Sequence, residues 1–120
     1  MDLFKQLKAY SESYELALKV YEKTKEMPRE ERYGLTDQMR RASMSIPATI
    51  AEGYAKKEQS REYKRYLLMA LGSCNEMKVW LDMSRDLKLL DNRWCDAMYG
   101  EYDKAAGLIA GIVKKIDTGA

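Results

Sequence analysis

Residues 40–54 read RRASMSIPATIAEGY, and whether this stretch is one helix or two decides the fold. Met39, Ala42, Ile46 and Ile50 recur at helical spacing on both sides of Pro47, the mark of a single buried face. Proline has no amide to give the Ser43 carbonyl, and its ring crowds that turn. A full break would let the phase of the apolar residues slip, and it does not slip. The spacing therefore predicts one continuous helix, kinked at Pro47, rather than two. It opens after Tyr33-Gly34 with Thr36 as N-cap and Asp37 in the first turn. It closes at Gly53 as a left-handed C-terminal residue, or one turn later at Lys57.

Three more helical segments flank it. From residue 3 to 26, Leu3, Leu7, Tyr10, Tyr14, Ala17 and Tyr21 recur at alternating steps of four and three, with Leu16 and Leu18 widening that face. Lys23 and Lys25 suit the negative end of a helix that Pro28 terminates. From Ser60, a candidate N-cap, to about Leu87 the core stripe is Tyr63, Leu67, Ala70, Cys74, Met77, Leu81 and Ser84. From Asp91, another candidate N-cap, it is Met98, Tyr102, Ala105, Ile109, Ile112 and Ile116. Gly107 and Gly111 lower helix propensity, and close approach of a neighbouring helix is their expected reason. No strand-like alternation intervenes. Short connections between four helices predict an all-α, up-down-up-down four-helix bundle, a single domain over residues 1–120.

Composition narrows the function classes. With 46% hydrophobic and 33% charged residues among 120, the chain is neither disordered nor too small for its own core. Its longest uncharged stretches are too short to span a bilayer, and MDLFKQLK lacks a signal-peptide pattern, so no membrane role and a cytoplasmic location are expected. There is no histidine and there are two cysteines, which removes Ser-His and Cys-His dyads, imidazole-bound zinc and Glu-x-x-His di-iron sites. No metal and no cofactor are expected, and Cys74 and Cys95 read as buried thiols.

Charge is distributed unevenly. Residues 38–65 carry seven basic side chains (Arg40, Arg41, Lys56, Lys57, Arg61, Lys64 and Arg65) against three acidic ones, a local +4 in a chain whose net is +2. Arg61, Lys64 and Arg65 share one helix surface, with Lys56 and Lys57 in the loop just before it. Together they form a candidate nucleic-acid-binding patch that would contact phosphates of RNA or DNA in a salt-dependent way; a solvated face is the bland alternative. Tyr54, Tyr63 and Tyr66 could stack on bases, although core packing is the commoner fate of such tyrosines. Arg40 and Arg41 point about 100° apart, so they form no single fork; pairing with Glu52 or Glu76 competes with RNA contact.

The third segment is apolar on a second side as well. Opposite its core stripe stand Leu68, Gly72, Val79 and Met83, a candidate oligomer interface. Scattered surface apolar residues are the alternative.

The runs QMRRASMSIPATIAEGY and REYKRYLLMALGSCNEMK resemble the four-helix-bundle proteins encoded in intervening sequences of bacterial large-subunit ribosomal RNA, a family that includes accessory variability determinants of diversity-generating retroelements. The likeness rests on Arg40-Arg41-Ala42, Ser45 to Gly53, Leu71-Gly72-Ser73 and Glu76, with Thr49 where asparagine is frequent, and it extends to the N-terminal part. The resemblance implies a helical bundle that assembles as a ring-like homopentamer with a basic surface. For the retroelement branch it also implies binding to a reverse transcriptase and to RNA without catalysis; for the intervening-sequence branch the role is open. A non-catalytic, nucleic-acid-binding oligomeric adaptor is the leading expectation. A purely structural oligomer is a second. A small helical enzyme of chorismate-mutase type, using Arg40, Arg41 and Glu76, is a remote third, since no acid–base pair or phosphate loop stands out.

Overall fold

The computed structural model describes residues 2–119. Four α-helices account for most of them: α1 (Lys8–Lys23), α2 (Leu35–Tyr54), α3 (Ser60–Asp86) and α4 (Asn92–Thr118). Short 3-10 turns lie at Leu3–Gln6, Thr24–Glu26 and Arg29–Glu31, and no strand occurs among the described residues. Each helix packs on the next, and α4 closes back against α1. Cross-helix pairs fix the directions. From α2 to α3, a Ser45–Ser73 hydroxyl pair stands at 2.9 Å and the Ser84 hydroxyl meets the Met39 sulfur at 3.4 Å. From α3 to α4 the pairs are Lys64–Asp117, Lys78–Asp103 and Arg85–Asp96. In both cases one number rises as the other falls, so the neighbours are antiparallel, as an up-down-up-down bundle requires.

The helix that decides the fold is continuous: α2 runs through Pro47, and Met39, Ala42, Ile46 and Ile50 are all buried along it. Its start differs from expectation. Gly34 holds the N-cap position, its carbonyl accepting from the Gln38 amide at 3.0 Å. The Glu31 carboxylate accepts from the Leu35 amide at 3.4 Å, while Thr36 lies inside the first turn, buried, its hydroxyl unpartnered. Ser60 is likewise the first helical residue of α3 rather than its cap; Gln59 caps, its carbonyl accepting from the Tyr63 amide at 3.0 Å. Asp91 does occupy the N-cap of α4, but its carboxylate serves Lys23 at 3.7 Å instead of the helix amides.

The core stripe of α3 is buried as the periodicity predicts, from Tyr63 through Leu67, Ala70, Cys74, Met77 and Leu81 to Ser84. Leu67, Met77 and Leu81 are fully enclosed, each contributing about 1.5–3 kcal/mol of apolar burial. The first segment departs most. It is not one helix over 3–26, because Leu7 is extended (φ −71°, ψ 125°). This lets the Leu3–Gln6 turn fold back and set Phe4 edge-on to Tyr10, ring centres 5.0 Å apart. Its buried face is Ala9, Ser13, Leu16, Ala17 and Val20, one residue out of phase with the expected aromatic stripe. Tyr14, Leu18 and Tyr21 are exposed. Ser13 can sit in the core because its hydroxyl donates to the Ala9 carbonyl at 2.8 Å, which satisfies the only polar group it brings.

Candidate nucleic-acid interface

The α2–α3 connection is a tight hydrogen-bonded turn. Amides of Lys56, Lys57 and Gln59 donate to carbonyls of Gly53, Tyr54 and Lys56 at 2.9, 3.1 and 2.8 Å. Gly53 is not left-handed and does not end α2, which continues to Tyr54. Its purpose is proximity: a Cβ there would stand 2.7 Å from Tyr66 Cβ on α3. The two helices are thus pressed together at the turn, and the turn's cations face outward beyond them.

Seven basic residues were expected here, and they divide into three groups. Arg40 is half-buried and tied to the scaffold. Its Nε donates to the Thr24 hydroxyl at 2.9 Å, a terminal nitrogen to the Tyr21 carbonyl at 3.3 Å, and the guanidinium lies 4.1 Å over the Tyr21 ring. It pins the end of α1 to the start of α2, at the end of the bundle away from the turn. Arg41 is exposed and paired with Asp37 at 3.1 Å. Neither arginine reaches Glu52 or Glu76; the Glu76 carboxylate accepts instead from the Trp80 indole at 3.0 Å. Arg40, Arg41 and Glu76 therefore each have their own partner and do not converge.

The second group is paired but accessible. Lys64 meets Asp117 of α4 at 2.7 Å, and Arg65 meets Glu62 at 3.1 Å. The hydrogen bond from Arg65 holds the Glu62 carboxyl below the usual carboxylate range. Such exposed pairs are worth no more than about 1 kcal/mol, so a phosphate can compete for either cation. The third group, Lys56, Lys57 and Arg61, has no carboxylate partner among the described residues. Lys57 only donates to the Tyr54 hydroxyl at 3.2 Å and caps that ring.

Antiparallel topology adds cations that the linear reading did not connect. The Lys64–Asp117 pair brings the last turn of α4 beside the first turn of α3, so exposed Lys114 and Lys115 belong to the same end of the bundle. The signal was available once helix directions were fixed: in an up-down bundle the end of the fourth helix neighbours the start of the third.

Of the three tyrosines, Tyr63 is buried and packs edge-on against Tyr54, 6.1 Å between ring centres. Burial also raises its hydroxyl pKa. It is a core residue and unavailable for stacking. Tyr54 and Tyr66 are half-buried, each already covered by a cation, Lys57 and Arg65 respectively.

Leu68, Gly72, Val79 and Met83 are all exposed on α3, and Met69 beside Leu68 is half exposed. Asn75 and Glu76 interrupt the strip midway. Gly107 and Gly111 are also exposed, and a Cβ at either would meet nothing within 4 Å, so close approach within the chain is not their reason. Both thiols are buried and unoxidised, with burial pushing each up to about 11. Among the described residues no group of three or more carboxylates and thiols is placed to hold a metal, and no helix is long and apolar enough to cross a membrane.

A family model described as 23S rRNA-intervening sequence protein matches residues 5–111. In fold the chain is similar to a crystal structure of a protein of unknown function from the S23 ribosomal protein family of Bacteroides thetaiotaomicron VPI-5482. The TM-score is 0.75 at 22% identity, over 88% of this chain and 98% of that one. No curated protein matches.

Proposed function

The chain belongs to the 23S rRNA-intervening sequence protein family, and from that premise we propose that it is a non-catalytic, self-associating bundle protein that binds RNA backbone through the cationic α2–α3 end. The observation that carries this is the trio Lys56, Lys57 and Arg61, gathered at a tight turn with no ion pair to a carboxylate among the described residues, although Glu62 lies near enough to feel Lys56 and Arg61. Some cations elsewhere are paired, such as Lys25 with Glu22 at 2.8 Å and Arg85 with Asp96 at 2.8 Å. Others, such as Lys19 and Arg93, have no ion pair among the described residues; what sets the trio apart is its clustering at one turn, beside Lys64 and Arg65. A trio left unpaired is the arrangement that phosphate contacts and counterion release can use. Lys64 and Arg65 extend the surface along α3, and Lys114 and Lys115 extend it across to α4. The exposed residues Leu68, Gly72, Val79 and Met83 supply the self-association surface in the same reading.

The intervening-sequence reading takes precedence over the retroelement one, since the matching family is described as 23S rRNA-intervening sequence protein; the RNA-associated role rests on the cationic turn. A retroelement accessory role, with a reverse transcriptase as partner and a homopentamer as the assembly, is a narrower form that rests on the sequence likeness alone, at Arg40-Arg41-Ala42, Ser45 to Gly53, Leu71-Gly72-Ser73 and Glu76.

The test is fluorescence anisotropy with single-stranded RNA at low salt. Lys56→Glu combined with Arg61→Glu is expected to weaken binding about tenfold or more. Lys25→Glu, at the opposite end of the bundle, is expected to leave it unchanged. Equal affinity for the wild type and the double variant would remove the cationic end from the mechanism.

A further inference from the structure

The cationic end of the bundle also carries a cleft. It lies between the Leu3–Gln6 turn and the last turn of α2, and its volume of about 380 Å³ is within the range of small-ligand sites. Leu3 and Phe4 line it from the first of these, Ala51 and Tyr54 from the second, and Ala55 just beyond. Two aromatic rings beside two alanines make an apolar recess with room next to the rings. Lys57, Glu58 and Asp2 supply the polar part of the lining, and all three are exposed. Asp2 stands 3.7 Å from Lys5, whereas Glu58 has no ion pair among the described residues.

This lining restricts the occupant. An ionised carboxylate accepts hydrogen bonds and donates none, so Glu58 and Asp2 repel a free anion and favour a neutral group that carries N–H donors. The apolar recess favours a flat one. Lys57 belongs both to the cleft and to the unpaired trio of the α2–α3 turn, which ties the occupant to a neighbouring phosphate. A neutral, planar, donor-bearing group attached to a phosphate is a nucleobase.

We propose that the cleft takes one unpaired base of the bound RNA, stacked on Tyr54 with its amino edge towards Glu58 and Asp2, while Lys56 and Lys57 hold the adjoining phosphate. Lys57 now lies 4.6 Å over the Tyr54 ring, a weak hold at an exposed position. A phosphate that draws Lys57 away uncovers the ring for the base. The proposal rests on the phosphate-binding reading and deepens it by naming the substrate: a single strand, whose bases are free to be splayed out and stacked on an aromatic side chain. It also sets a preference. Cytosine offers an amino group where uracil offers a carbonyl, and a carboxylate repels the latter.

Fluorescence anisotropy at low salt with three strands of equal length tests it: oligocytidylate, oligouridylate and a strand with abasic spacers in place of bases. The wild type is expected to bind oligocytidylate about fivefold or more tighter than the abasic strand, the scale of one base stacked on an aromatic ring, and to bind oligouridylate more weakly than oligocytidylate. Ala55→Leu, at an exposed position, fills the cleft and is expected to bring oligocytidylate down to the abasic affinity while leaving the abasic strand unchanged. Glu58→Ala is expected to narrow the gap between the two pyrimidines. Equal binding of oligocytidylate and the abasic strand by the wild type overturns the base cleft while the phosphate reading stands, and equal binding of the two pyrimidines overturns the role of the carboxylates. A wild type that binds none of the three strands overturns the phosphate reading as well.

Discussion

Replacing glycine by alanine is expected to have opposite effects at two helical positions of this chain. At Gly53 the added Cβ would lie 2.7 Å from Tyr66 Cβ and 3.4 Å from Tyr63 Cδ1. Carbon atoms settle at about 3.5–4.0 Å, so α2 and α3 must separate by roughly 1 Å there. No rotamer relieves the contact, since Tyr66 Cβ is attached directly to backbone. Overpacking of this kind costs about 1–3 kcal/mol, against a propensity gain of about 1 kcal/mol for alanine over glycine in a helix. The net is a loss of about 1 kcal/mol. At Gly107 the same Cβ meets nothing within 4 Å, leaving only the gain, about 0.5–1 kcal/mol. The difference of about 2 kcal/mol corresponds to roughly 8 °C in melting temperature for a chain of this size. Thermal unfolding followed by circular dichroism, at one protein concentration, measures it. Should Gly53→Ala melt at or above Gly107→Ala, the close approach of α2 and α3 at the cationic turn is wrong.

Three further outcomes follow from buried or strained groups. Tyr102 is fully enclosed with its hydroxyl unpartnered, so Tyr102→Phe should keep or raise stability by up to about 1 kcal/mol in urea denaturation; a clear loss would mean that the hydroxyl has a partner. Cys74 and Cys95 have folded pKa values raised by burial from 9.0 to about 11. The folded state thus retains thiol protons that the unfolded chain releases. Their contribution is complete below about pH 8 and is lost as pH rises through 11, on the order of 2 kcal/mol per thiol. Urea midpoints that stay flat from pH 8 to 11 would contradict this; a double Cys→Ser variant should flatten the slope between about pH 8 and 10, leaving the loss at higher pH that comes from the buried Tyr63 and Tyr102 hydroxyls, whose pKa values burial also raises. Lys88 holds φ 60° in the α3–α4 turn, a conformation that glycine adopts without a Cβ penalty. Lys88→Gly is therefore expected to be neutral or to stabilise by up to about 1 kcal/mol, and a marked drop in melting temperature would count against that backbone.

Much of the fold was legible because apolar periodicity and burial coincide. The α3 stripe from Tyr63 to Ser84 and the α2 positions around Pro47 are buried as their spacing demands. The first segment misled because two stripes run side by side, one residue apart, and the more aromatic one is not the core. Serine 13 looked polar, yet a bond to the preceding turn makes it a small core residue. The close approach expected at Gly107 and Gly111 occurs instead at Gly53, for a related reason. Whether a helical glycine faces a neighbour depends on which side the neighbour packs, and Gly53 faces α3 while Gly107 and Gly111 face outward. The cationic cluster was visible as a local excess of charge, but its division into scaffold-bound, paired and unpaired members was not. Arg40 turned inward because Tyr21 and Thr24, far away in sequence, offer a ring face, a carbonyl and a hydroxyl. Lys114 and Lys115 joined the site only through tertiary packing.

The central claim, that the unpaired cations of the α2–α3 turn engage RNA phosphates, is tested most directly by the salt dependence of affinity. Three phosphates neutralised by Lys56, Lys57 and Arg61 give a slope of log affinity against log salt of about −2 on single-stranded RNA. Affinity then falls roughly 15-fold between about 50 and 200 mM salt. The account expects that slope or a steeper one in the wild type, and a slope shallower by about 2 when all three are replaced by glutamine. Affinity indifferent to salt, or a slope untouched by the triple replacement, would contradict it.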